Sequence, residues 1–294
     1  MTKARASKAN TRQVKPDEEM LRLRGVLKQH GIDAKRLECF AEAEGKPVFR
    51  LFADGPAAIK LWEKLRRVVA ETGYWPLIMG NEFGVWEPSD LATSDKIAAS
   101  WAKGLKRETG RSYDKQLGVT GMILRAGGEL DAAAWLKKHR LPDPTAEEDM
   151  WAMLAETAGG KLSRSKPNTQ FHGVYEVVSG KPLKHVTVAL WPTREGWEVP
   201  ALMRYGGWNA CPMPHVQVAL LRRWQEQYDA ELVVLANDVL EMRVGRPPKT
   251  RAAAMTLARE QYSFCDDIVS QGTMSLERLA DTLQHGTVWY FWWD

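Results

Sequence analysis

In "WNACPMPH", Cys211 and His215 stand four residues apart at the start of a helix expected to open at Pro214. A helix N-terminus can depress a thiol pKa, and a neighbouring imidazole can take the proton. Asn209 or Asp266 could orient that imidazole, so one reading is a cysteine-dependent hydrolase or transferase. The competing reading makes Cys211 and His215 ordinary structural residues. A metal site from Cys211, His215, Cys265 and Asp266 would need ligands from two loops and has no CxxC spacing, so no metal is expected.

Just before this pair, Gly206-Gly207 permits positive φ or a close backbone approach, and Trp208 follows on the same loop. Leading into a helix N-terminus, such a loop could offer backbone N–H groups to an anion or a carbonyl oxygen. It could equally be a tight turn with Trp208 plugging the core. In "YSFCDDIVSQG", Asp266 and Asp267 follow a helix C-terminus, the unfavourable end of its dipole. They need a cation, an arginine or open solvent, and Arg246 is the arginine considered.

The elements that must position these residues read as α/β, with mixed α+β as the variant. An amphipathic helix opens at Pro16-Asp17 and ends near Gly31. "PVFRLFA" (47–53), a helix carrying Trp62, and "YWPLIMG" (74–80) suggest a β-α-β unit with a parallel pair. Helices are expected at 89–109, 129–140 and 145–157, the last with a Thr145/Glu148 capping box. The stretch 159–170, rich in Gly, Ser, Lys and Pro, reads as a linker or a long loop. It would divide an N-terminal α/β region (17–158) from a C-terminal α/β module (171–294).

In that module, strands are expected at 185–191, 198–205, 231–238 and 239–244, the last two joined tightly around Asn237-Asp238. A helix at 214–228 sets Val216, Leu220, Trp224 and Tyr228 on one stripe. Thr250 should cap a helix running to Phe264, and another helix covers 275–286. "VWYFWWD" (288–294) reads as a strand with Trp289, Phe291 and Trp293 on one face and Val288, Tyr290 and Trp292 on the other. Aromatics on both faces predict an interior strand covered on both sides. Asp294 should emerge near arginine or backbone N–H donors.

Composition narrows the function classes. The net charge is +4, but residues 1–16 hold five basic residues and no acidic one, leaving 36 basic against 37 acidic elsewhere. The body is neutral, so a basic footprint would rest on an expected disordered tail (1–16), and no specific nucleic-acid partner is expected. No apolar run approaches a membrane span, and the N-terminus lacks a secretory apolar core. Three scattered cysteines suit free thiols, so a cytoplasmic location is expected. The 13 tryptophans suit both cores and binding surfaces.

Three stretches together carry a family signature: "WNACP" after the double glycine, "FCDDIVSQG", and the terminal "WYFWWD". From about Trp191 onward the sequence resembles the bacterial domain-of-unknown-function family numbered four-two-five-three. The matching positions are Trp208, Asn209, Cys211, Pro212, Cys265, Asp266, Gln271, Gly272, Trp289, Phe291, Trp292, Trp293 and Asp294. The resemblance implies a C-terminal α/β module and no activity to transfer. By analogy of genre alone, such families include interaction proteins and immunity partners of toxins.

No Walker loop, GxSxG, HExxH or GxGxxG occurs, and no cofactor is expected. The favoured expectation is a non-enzymatic protein-binding module. The alternatives are the Cys211/His215 enzyme and a small-ligand regulatory domain using Gly206, Gly207, Trp208, Arg246 and Asp267.

Overall fold

In the computed structural model, which describes residues 15–81, 94–142 and 165–294, one seven-stranded mixed sheet takes strands from both sides of the 159–170 stretch. The expected helix at 145–157, nearly all of the 1–16 tail and residues 159–164 lie outside the described residues.

Helix α1 (Pro16–Gln29) begins at its proline and buries Leu23 and Leu27. Strands β1 (Glu38–Ala43) and β2 (Lys46–Ala53) form an antiparallel hairpin, turned by Glu44 and Gly45 at positive φ. Helix α2 (Gly55–Arg67) then buries Trp62, followed by the single turn α3 (Val69–Thr72) and β3 (Trp75–Ile78). After α4 (Asp95–Thr109), α5 (Gly118–Glu129) and α6 (Ala132–Lys138) comes β4 (Val186–Trp191).

The expected β-α-β unit exists, but its strands are not neighbours. Strand β4 lies between β2 and β3 and is antiparallel to both, so those two share a direction without sharing hydrogen bonds. Local sequence cannot reveal this, because the inserted strand comes more than a hundred residues later.

The segment 198–205 is not a strand. After one 3₁₀ turn it forms helix α7 (Val199–Met203), with Pro200 in its first turn and Arg204 left-handed at its end. All five residues of α7 are buried. An apolar run hidden on every side shows no strand-versus-helix period, which is why the sequence misleads here.

Helix α8 (Pro214–Tyr228), strands β5 (Ala230–Ala236) and β6 (Val239–Val244), helices α9 (Arg251–Phe264) and α10 (Leu276–Leu283), and strand β7 (Val288–Trp292) complete the order. Thr250 Oγ1 caps α9 by accepting from Ala253 N–H at 3.3 Å. Strand order across the sheet is β1-β2-β4-β3-β5-β6-β7, antiparallel throughout except for β3 beside β5. That parallel seam is short, and side chains reinforce it. Trp75 Nε1 donates to the Leu232 carbonyl at 3.1 Å, while Trp62 Nε1 donates to Pro76 O at 2.8 Å. Glu231 accepts from both Arg66 and Arg243, whose guanidiniums lie over Trp75 and Trp62.

Strand β7 is an edge strand, not the interior one expected. Among the described residues it pairs with β6 alone, Tyr290 opposite Glu241 and Phe291 opposite Leu240. One aromatic face is core: Phe291 stacks on Trp224 at 5.6 Å, and Trp293 meets Phe264 at 5.4 Å. The other face turns to a cleft. Aromatics on both faces therefore mark core on one side and a cavity wall on the other.

Candidate binding cleft

The Gly206–Met213 loop is a closed turn. Gly207 N–H donates to Cys211 O at 3.1 Å, and Cys211 N–H donates to Trp208 O at 2.8 Å. Gln217 Nε2 donates to the Tyr205 and Pro212 carbonyls, each at 3.0 Å, and lies 3.5 Å from Cys211 Sγ. Trp208 packs edge-on against Tyr205, and Asn209 sits exposed in left-handed backbone. Gly207 thus spends its N–H inside the loop. At Gly206, φ is 116°, and a Cβ would lie 2.1 Å from Pro212 O and 2.4 Å from Gln217 Nε2. Gly206→Ala should therefore cost about 2–4 kcal/mol in denaturant unfolding. A loss below 0.5 kcal/mol would contradict this packing.

The sequence-predicted pair is split. Cys211 Sγ faces Gln217, and burial pushes its thiol pKa up, with the Cys265 charge adding to the effect. His215 lies nearly half a helical turn from Gln217, on the side of α8 where Val218 packs with Leu105 of α4 and Val119 of α5. Burial lowers its imidazole pKa, and Nδ1 has no partner among the described residues. A protonated thiol and a neutral imidazole on different sides of α8 do not make the ion pair that nucleophilic chemistry needs.

Asp266 and Asp267 do not pair with Arg246, which instead donates to Glu226 O at 2.8 Å, near the end of α8. Asp267 binds the terminal strand: its Oδ2 accepts from Asp294 N–H at 3.0 Å, and its Oδ1 accepts from Gln271 Nε2 at 2.8 Å. Cys265 Sγ donates to Trp292 O at 2.9 Å, its pKa pushed up to about 12, chiefly by burial. The segment 268–273 is a π-helix that brings Gln271 back onto Asp267. "FCDDIVSQG" is thus a latch that holds "WYFWWD" in place. Among the described residues, no three His, Cys, Asp or Glu side chains cluster as metal ligands.

Sequence reading missed a concavity among the described residues. A cleft of about 790 Å³ runs along β7, with Val288, Tyr290 and Trp292 as its floor. Phe171, His172 and Tyr175 form one wall; Ile268, Leu279 and Leu283 line the other. Gln261 Nε2 and Trp289 Nε1, of two further lining residues, are buried with no hydrogen-bond partner among the described residues. At the rim the backbone turns back between Tyr175 and Pro182, raising Val177 and Val178 to 98% and 100% exposure.

Glu241 anchors the first wall. Fully buried in β6, its carboxylate accepts His172 N–H at 2.6 Å and Gly173 N–H at 2.9 Å. Gly173 must be glycine, since a Cβ would sit 2.8 Å from Val234 Cγ1 and 2.9 Å from Glu241 Oε2. The His172 ring, so held, packs edge-on to Tyr290 at 5.7 Å. A glutamate between Leu240 and Met242 in the strand "VLEMRV" was the available sequence signal.

Burial raises the Glu241 pKa from 4.5 to about 7, although both backbone donors pull it down. A carboxyl with a raised folded pKa contributes stability below its unfolded pKa, and that contribution is lost as pH rises to the folded value. Between pH 4.5 and 7 this group should remove about 3 kcal/mol of folding stability. Denaturant unfolding across that window should show the fall in the native protein and a flatter profile in Glu241→Gln. An unchanged slope in the variant would contradict the assignment.

Among the described residues no helix is long and apolar enough to cross a membrane. No curated protein and no solved structure matches the chain. Residues 187–294, the C-terminal third that carries the latch, the terminal strand and much of the cleft, match the family model described as a domain of unknown function (DUF4253).

Proposed function

We propose that this protein is a non-enzymatic binding module whose partner is another protein, held in the cleft along β7. The observation that carries this is the cleft itself: an aromatic floor, sides that carry Phe171, Ile268, Leu279 and Leu283 among polar residues, and the exposed Val177-Val178 tip beside it. Two adjacent valines wholly in solvent cost solubility and suit a surface covered by a partner. Aromatic residues in a concave, partly desolvated site are the usual anchors of protein recognition. The split of Cys211 from His215 supports binding over catalysis.

The test uses random peptides displayed on phage and selected against the full chain. Enriched peptides should bind the native protein and lose about tenfold in affinity to a chain carrying Val177→Asp and Val178→Asp. Both valines are exposed, so the double variant keeps its fold. Peptides that bind both chains equally would place the partner elsewhere.

A further inference from the structure

We infer that the cleft takes its partner as an added β-strand, an extended segment of another protein paired with the edge of β7 that no strand occupies among the described residues. This rests on the cleft being the binding site, and it states how the partner is read.

Ladder parity identifies the free groups. Val244 N–H donates to Thr287 O and Trp293 N–H to Asp238 O, so residues 287, 289, 291 and 293 face β6. The backbone of Val288, Tyr290 and Trp292 therefore points outward. The two ends of that outer row are already used: Val288 N–H donates to Asn168 O, and Trp292 O accepts from Cys265 Sγ. Between them, the Val288 and Tyr290 carbonyls and the Tyr290 and Trp292 amides have no partner among the described residues. This is an alternation of donor and acceptor at ladder spacing, on the floor of an apolar cleft.

Natural sheets cover or blunt such an edge, or use it for pairing. Here no proline or lysine interrupts Val288–Trp292, and among the described residues no strand pairs with its outer side. Another polypeptide backbone is the ligand that matches the four groups between those occupied ends, and strand addition is an established mode of peptide capture.

The occupied ends of the row decide between a single strand and a second copy of the sheet. Asn168 at Val288 and Cys265 at Trp292 leave only four outward groups between them, a run that one short extended segment can pair. A second seven-stranded sheet would meet those two residues before it reached the row. Residues of the added strand would point alternately to the two sides. One set meets Tyr290, Trp292 and His172; the other meets Ile268, Leu279 and Leu283. The partner segment should thus be apolar at successive positions, aromatic-compatible on one face and aliphatic on the other.

The experiment takes an enriched phage peptide of about ten residues and makes versions N-methylated at alternate positions, read by calorimetry and by amide hydrogen exchange on the full chain. Strand addition predicts that methylation in one register weakens binding at least tenfold, while the other register is tolerated. It also predicts that the Tyr290 and Trp292 amides gain protection when peptide binds. If the peptide binds and loses affinity with Val177→Asp and Val178→Asp, yet both registers bind alike and these amides stay unprotected, strand addition is overturned while the cleft remains the site. If no peptide is enriched, or none responds to the valine pair, both fail together. A concentration-dependent dimer that protects the same amides without peptide would assign the edge to a second copy and overturn the proposal.

Discussion

Deleting Phe291–Asp294 should abolish cooperative folding. Phe291 and Trp293 are fully buried and join an aromatic cluster with Trp224, Phe264 and Trp289. Removing one large buried aromatic costs about 3–5 kcal/mol, and two approach the whole stability of a typical domain. The deletion also strips the partners of Cys265 Sγ and Asp267, leaving a buried carboxylate without its Asp294 N–H. Circular dichroism during urea unfolding should show no sigmoidal transition. A truncated chain that unfolds cooperatively near the native midpoint would contradict the latch.

The second large effect concerns the expected C-terminal module, which contains the matched residues 187–294, taken alone. Expressed as residues 171–294, the chain should fail to fold. In the sheet, β4 and β5 are not neighbours, because β3 lies between them. Without residues 38–78, β4 loses the partners on both its edges and β5 loses one. Trp75 no longer reaches Leu232 O, Arg66 no longer binds Glu231, and Asp54 no longer accepts from His185 N–H. A buried strand such as β4, with all six residues hidden, would become an exposed apolar edge prone to aggregation. A monomeric fragment with a cooperative melt would show that β3 is dispensable.

Much of the sheet was legible because its strands alternate or run apolar between turn residues. Val186–Trp191, Ala230–Ala236 and Val239–Val244 fall within two residues of their expected bounds. Helices with proline or threonine starts, at Pro16, Pro214 and Thr250, were equally readable. The hairpin strand Glu38–Ala43 and the glycine-bearing helix Gly118–Glu129 were not read at all. The first carries two glutamates and little apolar period. The second owes its helix to packing on α8 rather than to propensity.

Site residues were harder, for a related reason. Cys211, His215, Asp266 and Asp267 attracted notice as reactive types close in sequence, yet function depends on where side chains point. Gln217, an unremarkable amide, turns out to organise the glycine loop, and Asp267 holds the terminal strand. The cleft joins Phe171–Tyr175 to Tyr290 and Trp292, more than a hundred residues apart. Such a pairing is invisible without the sheet order. Glu241 and the Val177-Val178 pair are local irregularities beside it that the sequence reading passed over.

The central claim is that recognition resides in the β7 cleft and not in the Cys211 loop. Its most direct test is calorimetric titration of a phage-selected peptide into three full-length chains: native, Trp292→Ala and Cys211→Ala. Trp292 is half-buried on the cleft floor, so its loss should weaken binding at least tenfold while the chain still melts cooperatively. Cys211→Ala should bind within twofold of native. Unchanged affinity in Trp292→Ala together with lost binding in Cys211→Ala would contradict the account.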